Sequence, residues 1–88
     1  MFQIKATGKF KRDVKRCNKQ GLEMDLLKKV VHELELGHEL DRQYKNHGLS
    51  GNYDNFLECH IKPDWLLIYR VEQDTLILIR TGSHADLF

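Results

Sequence analysis

His60-Ile-Lys-Pro63-Asp64-Trp65-Leu66-Leu-Ile-Tyr-Arg-Val71, followed by Leu76-Ile-Leu-Ile79 and Arg80-Thr-Gly-Ser-His84-Ala-Asp-Leu-Phe88, is the stretch around which the rest of the chain is arranged. Leu66 to Val71 and Leu76 to Ile79 are apolar runs too short for helices and rich in strand formers. Glu72-Gln73-Asp74 between them supplies a polar turn, so the pair reads as a β-hairpin. Upstream, Phe56 to Ile61 reads as another strand, and it meets the hairpin through Lys62-Pro63-Asp64, where Pro63 presets φ for a tight turn. In an antiparallel meander the end of the first strand, the start of the second and the end of the third share one edge of the sheet. That edge collects His60, Asp64, Trp65 and Arg80, with His84 and Phe88 just beyond.

Toward the N-terminus, Phe2-Gln-Ile-Lys-Ala6 alternates like a short strand, and Thr7 is placed to cap a helix. Phe10, Val14 and Cys17 fall at i, i+4 and i+7 of that helix, and nearly everything else in it is basic. Gly21 breaks the pattern. A second helix from about Met24 carries the stripe Leu26, Leu27, Val30, Val31 and Leu34, wide enough to cover one sheet face, and Gly37 stops it. His32 and His38 sit at its end, where the helix dipole favours a cation, and need no role beyond that. From His38 to Asn55 the chain is polar and punctuated by Gly48 and Gly51. It reads as an irregular loop anchored by Leu40, Tyr44 and Leu49, with His47 a candidate binding group on it. The expected fold is α+β, a single domain over residues 1–88 in the order β-α-α-β-β-β, with the last three strands an antiparallel meander.

The 88 residues, with 41% hydrophobic and 31% charged side chains, suit one small soluble domain with an adequate core. Cys17 and Cys59 form no CxxC pair and nothing reads as a signal peptide, which points to two reduced thiols in the cytoplasm. The longest apolar run falls short of the roughly 18 residues that a membrane helix requires, so no membrane partner is expected. The net charge of +1 hides an asymmetry: residues 1–20 carry seven basic side chains against Asp13 alone, hence +6, and the remainder carries −5. A patch that includes Lys11 and Lys15 on the outer face of the first helix fits a phosphate-rich partner, although a solvated helix face has the same composition.

Of the chemistries this collection could support, a metal site is disfavoured. His47, His60, Asp64 and His84 are competent zinc ligands, but none has a local metal-binding spacing, and Arg80 would place a cation beside the ion. Cys59 follows Glu58 and precedes His60 in a strand, so it faces away from the histidine and is a poor nucleophile for that site. Acid–base chemistry on a phosphodiester fits better. RNA brings its own nucleophile, the 2′-hydroxyl, and asks the protein only for a base, an acid and a cation at the phosphate. His60 and His84 can fill the proton roles, Arg80 can supply the charge through its fork, and Asp64 can orient the His60 ring or hold its proton. Trp65 and Phe88 can stack on bases. The plainer alternatives are a core position for Trp65, a strand-end ion pair between Asp64 and Arg80, and a core-closing role for Phe88.

Three segments together resemble a known family: Tyr44-Lys-Asn-His47-Gly-Leu49-Ser-Gly51, Cys59-His60-Ile-Lys-Pro63-Asp64-Trp65-Leu-Leu-Ile68-Tyr69, and Arg80-Thr-Gly-Ser-His84-Ala-Asp-Leu-Phe88. They look like the YafQ branch of the RelE/ParE superfamily of bacterial type II toxins, closely over residues 44–88 and only in architecture and polarity before that. The resemblance implies a RelE-like fold and an endoribonuclease that cleaves mRNA, typically at the ribosome, without metal or other cofactor. It further implies silencing by a cognate antitoxin and contact with DNA only through the antitoxin complex. Carried over by motif, the family's active-site set falls on His47, His60, Asp64, Arg80, His84 and Phe88, with Trp65 adjacent. The alternative is a non-enzymatic toxin of the ParE type, which shares the architecture and poisons DNA gyrase by contact but has no need of a histidine cluster.

Overall fold

The computed structural model describes residues 1–49 and 55–88. Strand β1 (Gln3–Ala6) leads into helix α1 (Gly8–Lys19), helix α2 (Met24–Glu35) and a 3₁₀ turn (Arg42–Tyr44). Strands β2 (His47–Gly48), β3 (Leu57–Lys62), β4 (Trp65–Glu72) and β5 (Thr75–Gly82) follow, and the short helix α3 (His84–Leu87) ends the chain. The α+β order is the one expected, with two refinements. The sheet has five strands in the order β1-β5-β4-β3-β2, because β1 pairs parallel to β5 and the polar loop contributes β2. Residues 84–87, expected as a terminal loop, form a helical turn whose Ser83 makes a reciprocal capping box with Asp86. Gly51, the second glycine of the polar loop, lies outside the described residues.

Local chemistry sets the helix ends. Thr7 Oγ1 accepts the Phe10 N–H at 3.0 Å and starts α1. Gly37, at φ 78°, closes α2: its own N–H reaches Leu34 O while the His38 N–H reaches Glu33 O, a pair of bonds that requires a left-handed residue at this position.

Helices α1 and α2 cover one face of the sheet. Phe10, Leu27, Val30 and Leu34 pack there against Cys59, Ile61, Trp65, Leu67, Tyr69, Leu76 and Leu78. The opposite face carries a smaller cluster of Leu66, Ile68 and Leu87, joined by Leu49, Phe56 and Ile79. Thus α3 lies over the second face and is anchored there by Leu87. Among the described residues no helix is long and apolar enough to cross a membrane.

Candidate active site

Residues directly opposite one another in a sheet share a face. His47 pairs with Glu58, Glu58 with Ile68, and Ile68 with Arg80, so a single row crosses four strands on the face that α1 and α2 leave uncovered. His60 pairs with Leu66 one step further along the same face. Arg80 reaches this row only through a β-bulge. Counting by twos from Leu76 and Leu78 would set it against the helices, but the register shifts so that Tyr69 opposes Leu78 and Ile68 opposes Arg80, leaving Ile79 as the extra residue.

The three imidazoles of this face form a chain. Ring centroids of His47 and His60 lie 6.2 Å apart, and those of His60 and His84 lie 5.8 Å apart. His84 donates from Nδ1 to Asp64 Oδ1 at 2.8 Å, and the same oxygen accepts the His84 backbone N–H at 3.0 Å. The backbone bond foremost, then the ring bond, holds the Asp64 carboxyl below the usual carboxylate range. His60 Nδ1 donates to Pro63 O at 3.2 Å. A carbonyl or a carboxylate can only accept, so in both rings Nδ1 keeps its hydrogen and Nε2 is the nitrogen left to exchange protons. His47 differs. Its Nδ1 meets Lys45 O at 2.7 Å and its Nε2 meets Glu58 Oε2 at 3.1 Å, so both ring nitrogens are occupied, one by a carboxyl that is only 6% exposed. The loop bearing His47 is itself tied down by the core, since Tyr69 Oη donates to Asn46 Oδ1 at 2.7 Å.

Beyond Ala6, among the described residues, β5 has no strand beside it on that side, and side chains of Thr7 and α1 take the place of one. Thr7 Oγ1 donates to Ile79 O at 2.7 Å, the Thr81 N–H donates to Asp13 Oδ2 at 3.2 Å, and Arg16 Nη2 donates to Thr81 O at 2.9 Å. An edge that would otherwise present unpaired amides is thereby satisfied. Arg80 joins the same group, with Nε 2.6 Å from Asp13 Oδ2 and Nη2 3.1 Å from Asp13 Oδ1. Burial pushes the Asp13 carboxyl up, but the bonds from Arg80, Thr81 and Arg16 outweigh it and leave the group below its ordinary value. Gly82, at φ 155°, permits this approach: a Cβ there would lie 2.4 Å from Arg16 Nη2.

The structure brings together His47, His60, Asp64, Arg80 and His84, and Phe88 ends α3 beside them with 59% of its surface exposed. Several expectations change. Trp65 is 3% exposed, and its indole N–H donates to Thr81 Oγ1 at 2.9 Å, so it belongs to the core and offers no face for a base. The reason is the register: a shift at Ile61 opposes His60 to Leu66 while Lys62 opposes Trp65, so the pleat turns Trp65 to the face opposite His60. Asp64 orients His84 in place of His60, and Arg80 pairs with Asp13 in place of Asp64. Lys11 and Lys15 are exposed on α1 and make no ion pair among the described residues. Cys59 is buried, and its thiol is pushed up to about 12 by burial, which keeps it protonated and unreactive.

Glu58 and Asp13 are the site residues that sequence reasoning passed over. Both are single acids among unlike neighbours, and a buried carboxylate betrays itself in sequence only when its partner is known. Among the described residues no group of three or more His, Cys, Asp or Glu side chains is arranged to hold a metal ion. A cleft of about 590 Å³ opens next to His60, with Lys29, Lys45 and Lys62 around it and Tyr44 and Pro63 in its wall. Its described lining carries three cations and no carboxylate.

Comparison with known proteins adds four findings. A family model described as bacterial toxin of type II toxin–antitoxin system, YafQ, matches residues 2–88. The chain is 36% identical over 86 residues to the mRNA interferase toxin YafQ of Escherichia coli K12, covering 97% of this chain and 94% of that one. Among solved structures it resembles a metal-bound toxin from Helicobacter pylori, with TM-score 0.94, 43% identity and full coverage of both chains. It also resembles the toxin in the E. coli DinJ–YafQ toxin–antitoxin complex, with TM-score 0.91, 35% identity, and 99% and 97% coverage.

Proposed function

The chain belongs to the YafQ family of bacterial type II toxins, and from that premise we propose that it is an endoribonuclease that cleaves mRNA presented by the ribosome. In this reading a cognate antitoxin silences it, as the E. coli toxin–antitoxin complex of a relative suggests. The observation that carries the chemistry is the pair His60 and His84, 5.8 Å apart between centroids, each with Nδ1 held by an acceptor and Nε2 left for proton exchange.

His60 is the general base. Its Nε2 takes the proton of a 2′-hydroxyl as that oxygen bonds to the adjacent phosphorus and the bond from phosphorus to the 5′-oxygen breaks. His84 is the general acid: Nε2 gives its proton to the departing 5′-oxygen. The products are a 2′,3′-cyclic phosphate and a 5′-hydroxyl, and proton exchange with water resets both rings. His84 is assigned the acid role because the Asp64 carboxylate fixes its ring through Nδ1 and its backbone N–H together, whereas His60 is held through Nδ1 by a single carbonyl. Arg80 supplies positive charge to the phosphorane-like transition state, and Phe88 stacks on a base. The lysine-rimmed cleft beside His60 receives a neighbouring nucleotide, with phosphate against Lys45 and Lys62 and the base against Tyr44.

The test is cleavage of end-labelled RNA by the purified protein, with and without ribosomes and EDTA. Cleavage that persists in EDTA, leaves cyclic phosphate ends and vanishes when the nucleotide 5′ to the cut is 2′-deoxy supports the mechanism. Activity abolished by EDTA and restored by a metal would overturn the metal-free route. Intact RNA under all conditions, with gyrase inhibited instead, would move the protein to the ParE type.

A further inference from the structure

Asp13 is the one acid among the first 20 residues, and it is 3% exposed in a helix whose other charges are basic. Burying a carboxylate is costly unless it is fully bonded, and this one is. Oδ1 accepts from Arg16 Nη1 at 2.8 Å and Arg80 Nη2 at 3.1 Å; Oδ2 accepts from Arg80 Nε at 2.6 Å and the Thr81 N–H at 3.2 Å. The Nε–Nη2 edge of Arg80, the pair of donors that a guanidinium would offer side-on to a phosphate, is therefore taken up by Asp13. What Arg80 brings to the reaction is a charge at a fixed place.

We propose that Asp13 is a positioning residue for catalysis: by clamping one edge of the Arg80 guanidinium it holds that charge in one place at the β5 end of the row that begins at His47, ready for the transition state. The proposal rests on the phosphodiester-cleaving reading of the site. A long flexible side chain rooted at a β-bulge has many positions, and a charge preset in one of them needs no rearrangement during the reaction. Arg16 completes the arrangement, holding Asp13 at one end and lying 3.6 Å from Asp86 of the α3 capping box at the other, so one helix indexes both Arg80 and the helix that carries His84.

The experiment is a double-mutant cycle read by single-turnover cleavage of RNA, with Asp13→Asn, Arg80→Ala and both together. Asp13→Asn is expected to slow cleavage by about 10-fold to 100-fold, the scale of a misplaced catalytic group. If Asp13 acts through Arg80, adding Asp13→Asn to Arg80→Ala slows the reaction no further; a merely structural residue would slow both backgrounds by the same factor. Wild-type rates in Asp13→Asn, or additive losses in the double variant, would overturn the proposal. Should Asp13→Asn not fold, NMR of the wild-type protein decides: the Arg80 Nε–H should exchange slowly and stay bonded when an uncleavable 2′-deoxy RNA is bound, and a fast-exchanging Nε–H in that complex overturns it. Wild-type protein that cleaves no RNA would instead sink the functional reading, a result distinct from either.

Discussion

A single oxygen, Asp64 Oδ1, accepts two hydrogen bonds from His84, one from the backbone N–H at 3.0 Å and one from ring Nδ1 at 2.8 Å. The first fixes where helix α3 begins relative to the β3–β4 turn, and the second fixes the tautomer and tilt of the ring. One exposed carboxylate thus sets both the position and the protonation pattern of the proposed acid.

His84→Ala is therefore expected to lower the single-turnover rate by about 10² to 10⁴, the usual worth of a general acid. Asp64→Asn should lower it less, through the disturbed ring, with little change in RNA affinity. Both proteins should keep the wild-type circular dichroism spectrum, because these side chains are exposed. Equal rates for His84→Ala and wild type would remove the histidine from the mechanism.

Arg80→Ala should slow cleavage by about 10² to 10³, as for loss of one electrostatic contact to a transition state. Arg80→Lys should recover only part of this, since one ammonium cannot satisfy both Asp13 oxygens in the geometry of Nε and Nη2. Either change should cost on the order of 1.5 to 3 kcal/mol of stability by removing charged hydrogen bonds from Asp13. Denaturant melts alongside rate measurements check both halves.

The pH dependence of stability follows from Asp13, Asp64 and Asp86, whose carboxyls all lie below their ordinary values in the folded protein. For such groups the unfolded chain takes up protons first. Their contribution is complete above the unfolded value of about 3.9 and is lost as pH falls through the folded values. The melting temperature should change little through these groups between pH 7 and 5 and drop below about pH 4. Asp13→Asn should flatten that drop; an unchanged acid limb would mean that Asp13 does not contribute to it.

Two sets of lysines can be separated by salt. Lys11, Lys15 and Lys19 on α1 and Lys45 and Lys62 at the cleft are all exposed. Each that contacts a phosphate of single-stranded RNA should reduce the slope of log affinity against log salt by about 0.7 when changed to Gln. The Lys45 and Lys62 changes should flatten the slope for short RNA alone, while the α1 changes should matter for the ribosome-bound message. No change in slope for either set would mean that neither lies on the RNA path.

The hairpin, the helix periodicities and the caps at Thr7 and Gly37 could all be read from residue order, because each depends on neighbours within a few positions. So could the gathering of His60, Asp64, Arg80 and His84 at one end of the sheet, which needs only antiparallel order and tight turns, though not the face on which Arg80 lies. Trp65 could not be assigned that way: Lys62 opposes Trp65, and counting by twos from Lys62 would set His60 and Trp65 on one face, until the register shift at Ile61 opposes His60 to Leu66 and turns Trp65 into the core.

Other features are invisible until the chain is folded. No local pattern marks the bulge at Ile79 that carries Arg80 to the histidine face, since it depends on how β5 is pulled into register by β1 on one side and β4 on the other. Nor does any pattern show that the lone acid of a basic helix lies 67 positions from its arginine in sequence and 2.6 Å from it in space. Sequence by itself determined β1, the two long helices and the three-stranded meander in their order, because these follow from short-range propensity and strand direction, while β2 and α3 emerged only with the fold. Only the tertiary structure decided which acid serves which base, Asp64 for His84, Asp13 for Arg80 and Glu58 for His47, because a buried or shared charge takes its partner from whatever donor packing brings within a hydrogen bond.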